Sequence, residues 1–340
     1  MAQITTLVSW DTELSADSVE WCPFPSKHQL LVCGTYQLIE GEDQLTSSRQ
    51  GKLHLLSFMD SEVKELSLLQ TVHMPAVLDC KWAPQLIQDK ALLGVVNAAG
   101  QLVIYKLIEG DETLPAKLVE ELSINLPSAE DKGEVLALAL DWSVSCDVRI
   151  SVSDSKGRIS IFCLDTAGLK LEHNWTAHEY EAWTVHIDRF CPNTIYTGGD
   201  DAKLRAYDLR TDLHSAKLTS TRHSAGVTSF AQSSQEHQLL SGSYDEHILQ
   251  WDTRRMQRPV HSVHTGGGVW RMRFNTTEDM LLAACMYDGF HIYDKDLTAV
   301  ASYREHSSIA YGAHWSHATT HNIMATCSFY DHKLNVSCCI

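Results

Sequence analysis

Aromatic and acidic side chains recur at two positions of a repeated pattern in the second half of the sequence. The residues of the first set lie four places before the end of an apolar strand, and they are Trp183, Trp270 and Tyr311. The residues of the second set directly precede the aspartate of a turn, and they are Asp200, Tyr244, Tyr287 and Tyr330. Aromatic faces attract a quaternary ammonium group by about 0.5–2 kcal/mol each, and a nearby carboxylate such as Glu181 adds Coulomb attraction. These residue types predict a cage for a methylated cation.

The same cluster permits a second interpretation. Aromatic residues also dominate the binding energy of many protein interfaces, so the cluster is compatible with a protein-binding surface. Arg271 and Arg273 follow Trp270 in the same strand. One of them could pair with an acid or hold a carboxyl group of a ligand.

An internal repeat indicates which elements must position these residues. Each repeat has an apolar strand that ends on a recurring residue, and these residues are Trp21, Trp82, Trp142, Ile187, Gln232, Phe274 and Trp315. In the second half their spacing lies in or near the range of about 40–45 residues that is typical of propeller blades. We therefore predict an all-β, seven-bladed WD-repeat β-propeller. It forms a single domain over residues 1–340, and its blades start near residues 15, 75, 134, 178, 223, 265 and 306.

Blade 5 contains a serine, a histidine and an aspartate that look like a catalytic set. His223, Ser241, Asp245 and Trp251 stand at the positions of the internal hydrogen-bond network of a WD repeat. Because buried polar groups need partners, we interpret them as structural. The amino-terminal segment, residues 3–10, has no partner strand nearby in the sequence. We expect it to form the outer strand of blade 7 and to close the ring, which leaves no sheet edge unpaired.

Composition restricts the possible ligands and partners. The 27 basic and 43 acidic residues give a formal net charge of −16, and no basic run is present that could follow a phosphate backbone, which argues against nucleic acid. The sequence has no signal-peptide pattern and no apolar stretch of about 18 residues, so we expect a cytoplasmic protein without a membrane partner. The cysteines and histidines show no metal-binding spacing, and we therefore predict no metal and no cofactor.

Several segments are more specific than a generic WD repeat requires. They are DTELSADSVEWCP (11–23), LLVCGTYQL (30–38), AHEYEAW (177–183), YTGGDDAKLRAYD (196–208), GSYDEHILQWDTR (242–254), GGGVWRMRF (266–274), LLAACMYDGFHI (281–292) and TCSFYDHKL (326–334). Over nearly the whole chain they resemble the WD-repeat diphthine methyl ester hydrolases of diphthamide biosynthesis. The resemblance implies a cytosolic enzyme that removes a methyl ester from methylated diphthine on elongation factor 2. That substrate carries a trimethylammonium group beside its ester, which suits the predicted cage.

The sequence contains neither a GxSxG nucleophile motif nor an HExxH motif, so an ester hydrolase of this kind must use an activated water or an unrecognised nucleophile. Asp200 is the first candidate for the general base, because it precedes Asp201 and should face the channel. His247 and His332, in or beside the turns of blades 5 and 7, are further candidates. Tyr244, or the amides of residues 266–268, would stabilise the oxyanion. The expected substrate-binding residues are Glu181, Trp183, Trp270, Tyr287, Tyr311 and Tyr330.

A non-catalytic scaffold is the alternative function. Most propellers of this kind bind partners rather than catalyse reactions. Such a scaffold would dock elongation factor 2, or another protein partner, through the same aromatic residues. An esterase should lose turnover when a candidate base is removed, whereas a scaffold should tolerate the same substitution.

Overall fold

The computed structural model describes residues 3–40, 47–111, 113–127, 133–145, 147–318 and 322–340, which form seven four-stranded antiparallel sheets. The first strand, β1 (Ile4–Asp11), belongs to the last sheet. Blade 1 contains β2 (Ser15–Trp21), β3 (Leu30–Glu40), β4 (Ser47–Asp60) and β5 (Lys64–Pro75). Blade 2 contains β6 (Val77–Trp82), β7 (Leu92–Asn97), β8 (Gln101–Ile108) and β9 (Lys117–Asn125). Blade 3 contains β10 (Ala137–Trp142), β11 (Arg149–Asp154), β12 (Arg158–Asp165) and β13 (Gly168–Thr176).

The remaining blades have shorter strands. Blade 4 contains β14 (Thr184–Ile187), β15 (Thr194–Gly198), β16 (Leu204–Asp208) and β17 (Leu218–Ser220). Blade 5 contains β18 (Val227–Ala231), β19 (Gln238–Ser243), β20 (His247–Asp252) and β21 (His261–His264). Blade 6 contains β22 (Arg271–Phe274), β23 (Met280–Ala284), β24 (Phe290–Asp294) and β25 (Ala299–Tyr303). Blade 7 contains β26 (Ala310–Trp315), β27 (Asn322–Ser328), β28 (Lys333–Cys339) and β1.

This arrangement confirms the predicted seven-bladed propeller. The first two strands of a blade are largely buried because each blade packs between two others: the first strand of blade 1, β2, is buried at all seven positions, and the second strand of blade 2, β7, at all six. Outer strands such as β9 have mostly exposed or half-buried residues, as expected for strands with one solvated face. Within the described part of the chain there is no helix long and apolar enough to cross a membrane.

The ring closes through the amino-terminal strand, as predicted. β1 pairs antiparallel with β28 in a register that runs from Ile4 opposite Cys339 to Asp11 opposite Lys333. The side chain of Trp10 also contacts His54 of blade 1, with ring centroids 5.0 Å apart. The first strand therefore completes the last blade and packs against the first one.

The hydrogen-bond networks predicted for the WD repeats are present. His223 Nδ1 lies 2.9 Å from Asp245 Oδ2, and its Nε2 lies 2.8 Å from Ser241 Oγ. The indole of Trp251 donates to the same hydroxyl at 2.8 Å. Because these groups satisfy one another inside the sheet, the serine, histidine and aspartate of blade 5 are structural.

Candidate functional site

A cavity of about 320 Å³ lies at one end of the central channel, where the inner strands begin. Its wall contains aromatic side chains from blades 1, 4, 5, 6 and 7. Six of them form a continuous series of ring contacts: Tyr36, Trp183, Tyr244, Trp270, Tyr311 and Phe329. The cavity is therefore largely aromatic on one side.

Trp270 is at the centre of this aromatic wall. Its ring centroid lies 5.8 Å from that of Trp183, 5.8 Å from that of Tyr244 and 4.7 Å from that of Tyr311. The series continues from Tyr311 to Phe329 at 4.9 Å. Rings in contact at these distances form one continuous aromatic surface, and aromatic surfaces attract quaternary ammonium groups.

A buried carboxylate, Asp17, faces the same cavity from the inner strand of blade 1. Asp17 is 3% exposed, and its Oδ1 has no hydrogen-bond partner among the described residues. Burial raises the pKa of Asp17 to about 8, although the nearby charge of Arg271 opposes that shift. A carboxyl group with such a pKa is a much stronger base than an ordinary aspartate and can accept a proton near neutral pH.

Arg271 crosses the channel from blade 6 to blade 2. Its Nη1 donates to Asp79 Oδ1 at 2.5 Å, and the other carboxylate oxygen of Asp79 accepts from the Leu140 amide at 3.2 Å. Burial by itself would lower the pKa of Arg271. The negative charges of Asp79 and Asp17 have the larger effect, so the pKa is raised. The Nε of Arg271 and the indole Nε1 of Trp270 are buried without an acceptor among the described residues. The residues that line the cavity thus include one buried unpaired acceptor and two buried unpaired donors.

The pKa values of two tyrosines in the cavity wall are raised. Burial raises the pKa of Tyr244 above its ordinary value, and the charges of Asp200, Asp17 and Glu181 raise it further. Burial and Asp17 act in the same direction on the pKa of Tyr311. Both phenols therefore stay protonated near neutral pH.

Five of the predicted residues line the cavity, namely Glu181, Trp183, Tyr244, Trp270 and Tyr311. Asp200 is exposed and lies behind the aromatic wall, where its Oδ1 accepts a hydrogen bond of 2.9 Å from Trp183 Nε1. This contact orients the indole of Trp183. The geometry thus gives Asp200 a positioning role and gives Asp17 the position facing the ligand.

The two histidines predicted as bases lie away from the cavity wall. His247 Nδ1 donates to the Asp245 carbonyl at 2.7 Å, and its ring contacts His264 on the outer strand of blade 5. His332 is in the turn between β27 and β28, with a φ of 55°, and its carbonyl accepts from the Thr12 amide at 2.9 Å. Neither residue is among those that line the cavity.

Tyr287 and Tyr330 also lie outside the cavity, and the register of the turns explains why. The amide of Tyr244 donates to the carbonyl of Gly226 at 2.9 Å, and in blade 7 the amide of Phe329, not that of Tyr330, makes the corresponding bond to Ile309 at 3.1 Å. The turn aspartate of blade 7 comes one residue later than in blade 5. As a result Phe329 faces the cavity, and Tyr330 is displaced outward.

Blade 6 has the same displacement. Ala284 pairs with Phe290 in this blade as Gly242 pairs with Ile248 in blade 5. The second residue after Ala284 is Met286, which therefore occupies the position of Tyr244. Tyr287 follows it and points away from the channel.

Sequence reasoning missed Asp17, Tyr36, Asp79 and Phe329. Asp17 had a signal, because it lies four residues before Trp21, just as Trp270 lies four before Phe274. Tyr36 and Phe329 had no comparable signal, since turn length decides which residue after the second strand faces inward. Among the residues that the structure describes, no group of three or more His, Cys, Asp or Glu could hold a metal ion.

The fold defines a WD-repeat β-propeller, and an aromatic cavity lies at one end of its channel. Residues 216–252 match the family described as WD domain, G-beta repeat. A chain from the crystal structure of the mitotic checkpoint complex superposes with a TM-score of 0.73 at 16% identity, over 100% of this chain and 93% of that one. This likeness establishes the fold alone.

Three curated relatives identify the family. The chain is 38% identical to diphthine methyltransferase of Mus musculus, over 92% of this chain and 70% of that protein. The corresponding values are 36%, 90% and 73% for the Homo sapiens protein, and 31%, 95% and 96% for a homolog from Dictyostelium discoideum. The chain belongs to the diphthine methyltransferase family, which confirms the resemblance seen in the sequence. Membership implies an enzyme of diphthamide biosynthesis.

We expect Asp17→Asn to stabilise the protein at alkaline pH. The pKa of Asp17 is raised from an unfolded value of about 3.9 to about 8 in the fold. The folded state therefore favours the protonated form, and this contribution to stability is present below about pH 4 and is lost as the pH rises through about 8. The asparagine side chain does not titrate. The free energy of unfolding of Asp17→Asn should therefore exceed that of the wild type by a margin that grows over this pH range to a few kcal/mol. Urea unfolding at pH 5, 7 and 9 measures it.

Asp200→Asn is the matched control for this comparison, because Asp200 is an exposed acid beside the same cavity. The effect of this substitution at each pH is subtracted from that of Asp17→Asn. A difference between Asp17→Asn and the wild type that does not change with pH would contradict the assigned shift.

Proposed function

We propose that this chain hydrolyses the methyl ester of methylated diphthine on elongation factor 2 and releases methanol and the free acid. The observation that carries this proposal is an aromatic cavity that ends on Asp17, a buried carboxyl with an unpaired oxygen. The names of the relatives supply diphthine as the substrate class. The site supplies groups suited to an ester beside a quaternary ammonium.

In this proposal the trimethylammonium group lies against the faces of Trp270 and the rings around it. Aromatic faces attract such a cation without a hydrogen bond, and Glu181 in the same wall adds a negative charge. A methylated ammonium has no N–H to donate, so a wall of ring faces suits it better than a wall of hydrogen-bond acceptors. The cation thereby fixes the position of the ester.

The ester then lies between an acceptor and two donors. Asp17 accepts a proton from a water molecule as the water oxygen adds to the ester carbonyl carbon. The unpaired N–H groups of Arg271 and Trp270 are suited to stabilise the oxyanion that forms. When the carbon–oxygen bond to the methoxy group breaks, the proton on Asp17 passes to that oxygen, and methanol leaves. Asp17 is then ready for the next turnover.

Mass spectrometry of the substrate protein tests this proposal. Elongation factor 2 that carries methylated diphthine is incubated with the purified chain alone in H₂¹⁸O. We expect the methyl ester to disappear and one ¹⁸O atom to enter the product acid, because water attacks the acyl carbon. Entry of ¹⁸O into methanol alone would indicate attack at the methyl group and would contradict the mechanism. A folded protein that binds the factor without removing the methyl would instead be a scaffold.

We expect Trp270→Ala to raise KM by about 10–30-fold, because the central ring of the cage contributes up to about 2 kcal/mol of cation–π attraction. Trp270→Phe keeps a ring face and should retain part of the affinity. The measurement is steady-state kinetics with the methyl ester of glycine betaine, a small trimethylammonium ester. An equal loss of affinity in Trp270→Phe and Trp270→Ala would mean that the aromatic face does not bind the cation.

A further inference from the structure

A second recess lies beside the aromatic cavity, at the surface between blades 6 and 7. It has a volume of about 600 Å³, and its lining residues are Tyr287, His306, Ser307, Ser308, Ile309, Tyr330 and Asp331. This groove contains both tyrosines that the register of the turns displaces from the cavity. The displacement therefore places two aromatic side chains together at another site.

Both tyrosine side chains are largely exposed to solvent. Tyr287 is 84% exposed and Tyr330 is 69% exposed. Neither hydroxyl has a hydrogen-bond partner among the described residues, and their rings add little to the core. Exposed tyrosines are a preferred residue type at the energetically dominant points of protein interfaces.

The turn before Tyr287 has an unusual backbone conformation. Met286, directly before Tyr287, has a φ of 43°, and His332, which follows Asp331, has a φ of 55°. Residues with a side chain rarely adopt positive φ, and such strain is concentrated at functional sites. The positive φ of His332 recurs directly after the turn aspartate of blades 4 and 5, at Ala202 and Glu246, and therefore belongs to the repeat. That of Met286 has no counterpart at the equivalent Tyr244 of blade 5 and is specific to the turn that displaces Tyr287.

The groove and the cavity share a wall. The ring of Tyr330 lies 5.0 Å from that of Phe329, and Phe329 lies 4.9 Å from Tyr311 inside the cavity. The groove and the cavity therefore adjoin at this part of the rim. A protein substrate with one side chain in the cavity could place a neighbouring side chain in the groove.

The charges in the groove favour a cationic side chain. Asp331 is held in place by the amide and the hydroxyl of Ser307, at 2.9 and 3.1 Å. Burial lowers the pKa of His306 to about 4, so this histidine is neutral near pH 7 and adds no positive charge. Two ring faces and a fixed carboxylate attract a Lys or Arg side chain, and the net charge of −16 acts in the same direction.

We infer that the groove between blades 6 and 7 binds a lysine or arginine side chain of the protein substrate, next to the modified residue in the cavity. This inference rests on the proposed function for the identity of the partner. It assigns Tyr287 and Tyr330 to recognition of the protein rather than of the diphthine group. Substitution of either tyrosine should therefore leave the hydrolysis of small esters unchanged.

The test compares two substrates. Tyr287→Ala and Tyr330→Ala should each lower kcat/KM for elongation factor 2 with methylated diphthine by about 5–30-fold, as expected for loss of a cation–π contact. Hydrolysis of the glycine betaine methyl ester should stay within about twofold of the wild type. Tyr330→Phe should retain the wild-type value, because its ring face is intact. Tyr180→Ala is the matched control, since Tyr180 is 59% exposed at the entry to blade 4.

Binding measurements separate this inference from the proposed function. The dissociation constant for the factor is measured with Asp17→Asn as the background, so that no turnover is needed. If the wild type does not demethylate the factor, the proposed function fails, but weaker and less salt-dependent binding by Tyr330→Ala still supports the groove. Equal losses for both substrates, or no loss for the factor, would overturn the assignment of the groove.

Discussion

Asp17→Asn is expected to lower kcat for the methyl ester by about 10²–10⁴-fold, which is the usual contribution of a general base. The substitution keeps the size of the side chain but removes its ability to accept a proton. KM should change little, since the aromatic cage is intact. Single-turnover kinetics with methylated-diphthine elongation factor 2, together with a direct binding measurement, checks both expectations.

The pH profile gives an independent readout of the same residue. Because the base must be ionised and burial raises the pKa of Asp17 to about 8, kcat/KM of the wild type should rise with pH and level off above about pH 8. The residual activity of Asp17→Asn should lack this rise.

Asp200→Asn is the matched control for this prediction, because Asp200 lies behind Trp183 and does not face the ligand. It should affect KM through the orientation of the indole and have little effect on kcat. A loss of kcat in Asp200→Asn with normal turnover in Asp17→Asn would reverse the two assigned roles.

Deletion of residues 1–11 is expected to abolish cooperative folding. Without β1, strand β28 loses its antiparallel partner from Ile4 to Asp11, and its edge is left unpaired. The deletion also removes Leu7, Val8 and Trp10 from the core cluster of blades 1 and 7. A domain has a total stability of only about 5–15 kcal/mol, and a loss of this kind is of comparable size. Urea unfolding followed by circular dichroism measures the effect.

Two controls distinguish ring closure from a local packing loss. Trp10→Ala removes one side chain but leaves the strand paired, so it should lower the free energy of unfolding by only a few kcal/mol. A synthetic peptide of residues 3–12, added to the truncated protein, should restore the cooperative transition. A truncated protein that unfolds at the wild-type urea concentration would show that the ring is stable without this strand.

The sequence was sufficient to predict most of the fold. The recurring residues from Trp21 to Trp315 specify seven inner strands, and the lack of a local partner for residues 3–10 indicates ring closure. The same repeat correctly placed Trp183, Trp270 and Tyr311 in the cavity wall. These predictions succeed because strand register is a local, periodic property, and side chains at fixed spacing point the same way.

Tertiary structure alone decided the other half of the site. Side chains alternate along a strand, so the one-residue shift in the turn of blade 7 places Phe329 in the cavity and Tyr330 outside it. Burial, which no spacing encodes, gives Asp17 its raised pKa. The contact between Asp79 and Arg271 joins residues 192 positions apart, and only the closure of the ring brings blades 2 and 6 together across the channel. The sequence by itself determined the repeat and its facing positions, whereas the basicity and pairing of the polar groups depend on burial and long-range contacts.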